Sequence, residues 1–318
     1  MNLPFDLLRI AVLVAAGLLT ASALRHASAQ ARHDLWALTV VGVLIVPVWD
    51  LFLPNLYVNV SPRWEPLAVP TARGVPLLTA IWLVGIVVAA ARFVGGWRGL
   101  RQIAMTGHAL TGERIQAALA NATRLAGVRR PVQLLASPAI SVPATWGVRR
   151  PVIALPEAAA NWSEERLRLV LLHELLHVRR RDVVVEYALW LAGAVYWFHP
   201  AVWLAARRLR LERERACDEA VVATGARASD YCEHLLQIMR AARQTHGGAI
   251  VGAAMATPST IEHRVQTLLA RPGGRPRAIR ELPLLVVGAV VVCAVTVVAP
   301  CIHAAAHVAA PHATVARR

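Results

Sequence analysis

Histidines at 173 and 177 bracket a glutamate at 174 in the stretch LLHELLHVRRRD, residues 171–182. On a helix, His173 and His177 fall one turn apart on one face, with about 5–6 Å between their Cβ atoms. Imidazoles so placed can converge on one zinc ion at about 2.0–2.1 Å per bond. Glu174 stands beside the first imidazole and need not be a ligand itself, which suits a general base acting on water. Two histidines and a glutamate among leucines would be costly to bury without a compensating partner. A catalytic zinc also needs a third protein ligand and an open position.

RLERERACDEAVV, residues 210–222, supplies acidic candidates for that ligand. Glu214 and Asp218 are four apart and share a helix face. Glu214 is therefore placed as the third ligand, and Asp218 as the acceptor for the free ring N–H of a ligating histidine. Glu212, which has Ala216 four residues on, ranks second. Glu219 points about 100° from Asp218 around the helix and reads as solvated, and Arg213 and Arg215 read as members of charged surface pairs. His199 and His234 could stabilise a transition state, but His199, next to Pro200 at a turn, reads as structural, and the stabiliser stays unassigned. Arg179, Arg180 and Arg181 suit a helix C-terminus and lipid headgroups.

These residues need elements to hold them. Ser163 is a plausible N-cap for a helix over 163–181, with Glu164 and Glu165 in its first turn. Further helices are expected at 111–126, 200–224 and 228–243, and an amphipathic piece at 260–270. Residues 130–156 are rich in Val and Ile and broken by Pro and Gly, and they read as short strands with turns. Residues 183–206 resemble another membrane span. A single crossing would put His177 and Glu214 about 30 Å apart, so one ion could not join them. The segment must dip and return, lie at a membrane surface, or be buried against the strands, with a reversal near Phe198-His199-Pro200.

The chain has 318 residues, is 57% apolar and carries a net charge of +15, with arginine as its only strongly basic residue type. The arginines flank apolar runs, so they suit anionic headgroups better than nucleic acid. Four cysteines without paired spacing argue against a disulfide framework or a cysteine-rich zinc site. Segments at 7–24, 35–54, 75–94 and 282–300 are long and apolar enough to cross a bilayer. The first, followed by Ala27-Ser28-Ala29, also resembles a signal peptide, but a second apolar segment follows at once and an uncleaved span is expected. Arginine bias beyond the third span and ahead of the fourth places the central section in the cytoplasm. The expectation is a mainly α protein of the bacterial plasma membrane. Residues 1–96 form a three-span membrane region, 97–281 a cytoplasmic α+β zinc peptidase domain, 282–300 a fourth transmembrane helix and 301–318 a short external tail.

Three stretches together, LLHELLHVRRRD, YWFHPAVW (196–203) and RLERERACDEAVV, resemble the peptidase section of the BlaR/MecR-type antirepressor membrane metallopeptidases. ATWGVRRPVIALP (144–156) and the span layout match as well, and the resemblance covers roughly 75–300. It implies a gluzincin-like zinc endopeptidase with His173, His177 and Glu214 as ligands, Glu174 as base and Asp218 behind a ligand. It also implies regulated cleavage of a cytoplasmic or membrane protein, such as a transcriptional repressor. Only about 18 residues follow the fourth span, so the expectation is a chain without the family's penicillin-binding sensor, served by a separate sensor partner. The alternatives are a membrane-protein quality-control protease and a non-catalytic, zinc-stabilised signal transducer.

Overall fold

A computed structural model describes residues 3–52, 74–244 and 258–270. Three long helices come first: α1 (Leu3–Ala23), α2 (Ala29–Phe52) and α3 (Gly74–Thr106). Two helices among the described residues are long and apolar enough to cross a membrane, over Asp6–Ala23 and Pro76–Thr106. The second expected span, 35–54, falls in α2 as far as Phe52, its last two residues lying outside the described ones, and the helix opens on polar residues (Gln30, Arg32, His33, Asp34). The expected fourth span, 282–300, lies outside the described residues. α3 runs unbroken past the boundary expected at 96/97, and Ile103 near its end packs against the sheet.

That sheet has four strands, β1 (His108–Ala109), β2 (Gln133–Ser137), β3 (Ala144–Trp146) and β4 (Val152–Pro156), in the order β1-β2-β4-β3. β2 and β4 are parallel, and the two outer pairs are antiparallel. Both faces are covered. Leu134, Ala136, Ile153 and Leu155 join the core beneath α4 (Glu113–Ala126) and α5 (Glu164–Arg180). Leu135 and Ala154 meet Ile103 on the other side. Strands buried on two faces read as continuous apolar runs rather than alternating ones.

α4 presents Ile115, Ala118, Ala122 and Ala126 at helical spacing. α5 starts at Ser163, whose side chain accepts from Arg166 N, and stops at Arg181 in the left-handed conformation (φ 58°). The chain then turns directly into α6 (Asp182–Val195), reverses over 196–199 and returns as α7 (Pro200–Ala223). His199 caps α7, accepting from Ala201 N at 3.2 Å, and Pro200 follows at the first position, where no N–H is needed.

Residues 183–206 therefore form a helical hairpin, with its reversal at the expected place. Its partner is not the sheet. Leu189, Ala192, Tyr196, Val202, Ala205 and Leu209 pack with Ile10, Leu13, Val14, Trp36, Val40 and Val43 of α1 and α2. α3 closes another side: Trp82 Nε1 donates to Val195 O at 2.9 Å, and the Phe93 and Trp190 rings lie 4.3 Å apart. α8 (Ala228–Gln244) and α9 (Pro258–Ala270) complete the order.

Candidate metal centre

α5 and α7 bring their polar residues face to face. His173 Nε2 and His177 Nε2 are 3.2 Å apart. Glu214 Oε2 lies 3.5 Å from the first and Oε1 3.8 Å from the second. Two donors at about 2.05 Å from a tetrahedral ion would be about 3.3 Å apart, so the three groups already have the spacing a zinc ion requires.

The opposite ring nitrogens explain which atoms face inward. His177 Nδ1 is 2.6 Å from Asp182 Oδ2. His173 Nδ1 is 2.9 Å from the Tyr231 hydroxyl and 3.3 Å from Asp218 Oδ1. With each Nδ1–H given to an oxygen, each Nε2 presents a lone pair to its neighbour. Two lone pairs 3.2 Å apart beside a carboxylate oppose one another unless a cation or proton lies between them. The donor set therefore fits zinc.

Charge in the surroundings is closely balanced. Burial by itself would lower the His173 pKa, but the Asp218 and Glu214 carboxylates raise it to about 9. Burial opposes ionisation of Glu214, yet His177, His173, Arg213 and Arg264 together hold its pKa well below the usual carboxylate range. Asp218 is likewise held low against burial by Arg264, which donates to it from Nε at 2.8 Å and from a terminal nitrogen at 2.7 Å. Arg213 donates to Glu214 Oε1 at 3.1 Å and to Glu186 of α6 at 3.0 Å. Arg213 is thus buried in the site's support, not on the surface.

The structure brings together His173, His177, Glu214 and Asp218, four of the five residues singled out by spacing. Glu174, on the same helix as the histidines, is largely buried and accepts a hydrogen bond from Thr145 Oγ1 of β3 at 2.6 Å. The rival acids go elsewhere. Glu212 pairs with Arg32 at 2.9 Å and Arg215 at 2.6 Å, and Glu219 accepts from Ala29 N at 3.0 Å, capping α2 rather than facing solvent. His199 Nε2 meets Leu7 O at 3.1 Å and has a structural role.

Cys217 is another donor within reach, since its sulfur and a nitrogen of each histidine fall within 4.8 Å of one another. The sulfur, however, is 3.5 Å from His177 Nδ1, the nitrogen that Asp182 engages. Burial also pushes the pKa of the metal-free Cys217 thiol well above its usual value. Glu214 is the better third ligand. Asp182, Tyr231, Arg264 and Thr145 were not singled out by spacing. Of these, only Asp182 left a local signal, a carboxylate just past the end of the helix bearing both histidines.

A family model described as BlaR1 peptidase M56 matches residues 58–268. The regulatory protein BlaR1 of Bacillus licheniformis is 44% identical over 93 residues, covering 29% of this chain and 16% of that protein. The methicillin resistance mecR1 proteins of Staphylococcus aureus and Staphylococcus epidermidis are each 25% identical over 84 residues, 26% of this chain and 14% of theirs. The chain thus matches less than a fifth of the length of these relatives.

Proposed function

The chain belongs to the BlaR1 peptidase M56 family, and from that premise we propose that it is a multi-pass membrane zinc endopeptidase acting in regulated signalling. The observation that carries this reading is the convergence of His173, His177 and Glu214, at separations of 3.2, 3.5 and 3.8 Å. These three residues would hold the ion. When bound there, zinc supplies a Lewis acid that polarises the scissile carbonyl and acidifies the attacking water towards a pKa of about 7.

The chain's own residues do the rest. Glu174 takes the proton from the attacking water and returns it to the leaving amine nitrogen as the peptide bond breaks. The hydrogen bond from Thr145 holds one of its oxygens and leaves the other for the proton. Asp182 and Asp218 with Tyr231 fix the tautomer and tilt of the two imidazoles. The near-complete burial of His173 and Glu174 keeps bulk water from competing.

The substrate class is a cytoplasmic or membrane protein, with a transcriptional repressor the candidate implied by the family resemblance. Arginine bias supports a cytoplasmic site. The contact of the start of α2 with α7 sets the α1–α2 connection beside the site, on the same face of the membrane.

The test is Glu174→Gln in full-length protein, with zinc content measured beside cellular proteomics. The parent should generate protein fragments that the variant does not, and both should carry one zinc per chain. A variant that yields the same fragments would eliminate the proposed base, and with it the enzymatic mechanism.

A further inference from the structure

The first turn of α2 reaches into the support of the metal centre. Asp182, 3% exposed, is the hub. Its Oδ2 is 2.6 Å from His177 Nδ1 and accepts from Arg180 at 2.6 Å, while its Oδ1 accepts from Arg180 Nε at 3.2 Å. Opposite stands His33 of α2, 4% exposed, with Nε2 3.9 Å from Asp182 Oδ1 and without a hydrogen-bond partner among the described residues. Its other nitrogen, Nδ1, is 3.1 Å from Asp34 Oδ1. With the ring's one proton on Nε2, Asp182 Oδ1 is the acceptor that would satisfy this buried nitrogen. An approach of about 1 Å would bring it within hydrogen-bond distance.

The depth of this turn is set by anchors on the helix that carries Glu214. Arg32 donates to Glu212 Oε2 at 2.9 Å with both side chains more than nine-tenths buried, and Ala29 N donates to Glu219 at 3.0 Å. Gln30 accepts from Arg180, the same arginine that clamps Asp182, at 3.3 Å. One helical turn therefore touches α7 and the carboxylate that orients His177.

We infer that His33 is a positioning residue for the metal centre, acting on His177 through Asp182 and delivered by the first turn of α2. The inference rests on the zinc site proposed above. In its working position His33 carries its N–H on Nε2 rather than on the Nδ1 that faces Asp34, and so gives Asp182 Oδ1 a further donor, which fixes the carboxylate plane and hence the tilt of the His177 ring. Because His33 sits on α2, any axial displacement of that helix is felt at the ligand.

The experiment measures zinc affinity by chelator competition and the visible spectrum of the cobalt-substituted, full-length protein in lipid nanodiscs. The proteins are the parent, His33→Ala, His33→Gln, Asp182→Asn, the double variant His33→Ala/Asp182→Asn, and His173→Ala. Asp182→Asn should weaken zinc binding by about 10–100-fold and His33→Ala, one step further out, by about 3–10-fold, with a shifted cobalt spectrum. His33→Gln, which keeps a donor, should restore most of the loss and covers the case of a poorly folded alanine variant. In the Asp182→Asn background His33→Ala should add nothing, because the two residues act in series. Additive losses, or a His33→Ala protein whose affinity and spectrum match the parent, would overturn the inference while leaving the site intact. Stoichiometric zinc in His173→Ala would instead overturn the site itself, and the inference with it.

Discussion

At the scale of single residues, the centre sets proton and metal in competition. In the metal-free protein burial works against His173 protonation, but Asp218 and Glu214 raise its pKa to about 9. Zinc needs the unprotonated nitrogen, so binding below pH 9 must release that proton. Apparent affinity should then rise about tenfold per pH unit up to about pH 9 and level off above it. Stability of the metal-free protein should run the other way. A folded pKa above the ordinary 6.5 gives a contribution present in full below about pH 6.5 and lost as pH rises through about 9. Chelator competition and thermal melts from pH 6 to 10 check both signs, and Asp218→Asn should move the plateau to lower pH. The ligand pair and the Glu214/Asp218 pair were legible because each depends only on four-residue helical spacing. Tyr231 and Arg264 reach Asp218 through tertiary packing of α8 and α9, and no local spacing could announce them.

At the scale of elements, the reversal near Pro200 was legible by elimination: one ion cannot be shared across a bilayer, so a chain joining two ligands of one zinc must return, whether within the membrane, at its surface or against the strands. What the hairpin packs against was not legible, since apolar side chains do not name their partners. The short polar link ahead of α2 was equally opaque. The residues that follow it, Ala29 and Arg32 at the start of α2, anchor that helix through Glu219 and Glu212. The strands show what a small element contributes. Thr145 reaches Glu174 only because the β3–β4 turn closes tightly at Gly147, where φ is +89° and an added Cβ would stand 2.3 Å from Arg150 O. Gly147→Ala meets both a left-handed backbone and a clash with backbone. It should lower the melting temperature and, by displacing Thr145, reduce the cleavage rate at least about tenfold, while zinc content remains one per chain. A left-handed conformation alone costs about 1–2 kcal/mol for a residue with a Cβ. A variant with parental melting and turnover would show that the turn does not set the position of the base.

At the scale of the whole molecule, the contacts of the helices constrain how the chain lies across the membrane. The α1–α2 connection and the start of α2 are fixed to α7 beside the metal centre by the Arg32–Glu212 ion pair and the Glu219 cap. α2 then leads away from the site, and α3 returns to it, ending against the sheet at Ile103. If α1, α2 and α3 each cross, His26 and Met105 must share the face of the membrane that carries the peptidase site, and Asn59, in the connection between α2 and α3, must lie on the other. Single cysteines at these three positions test this, in a protein whose Cys293 and Cys301 are replaced by serine. Cys217 and Cys232 are buried and should not interfere. His26 and Met105 are exposed, Met105 at 75%. A membrane-impermeant maleimide should label Asn59→Cys in spheroplasts and His26→Cys and Met105→Cys in inverted vesicles. The reverse pattern would put the peptidase site outside the cell, where a transcriptional repressor could not reach it. A split between His26 and Met105 would contradict the docking of α2 on α7, because no rearrangement short of separating those helices would place them on opposite faces.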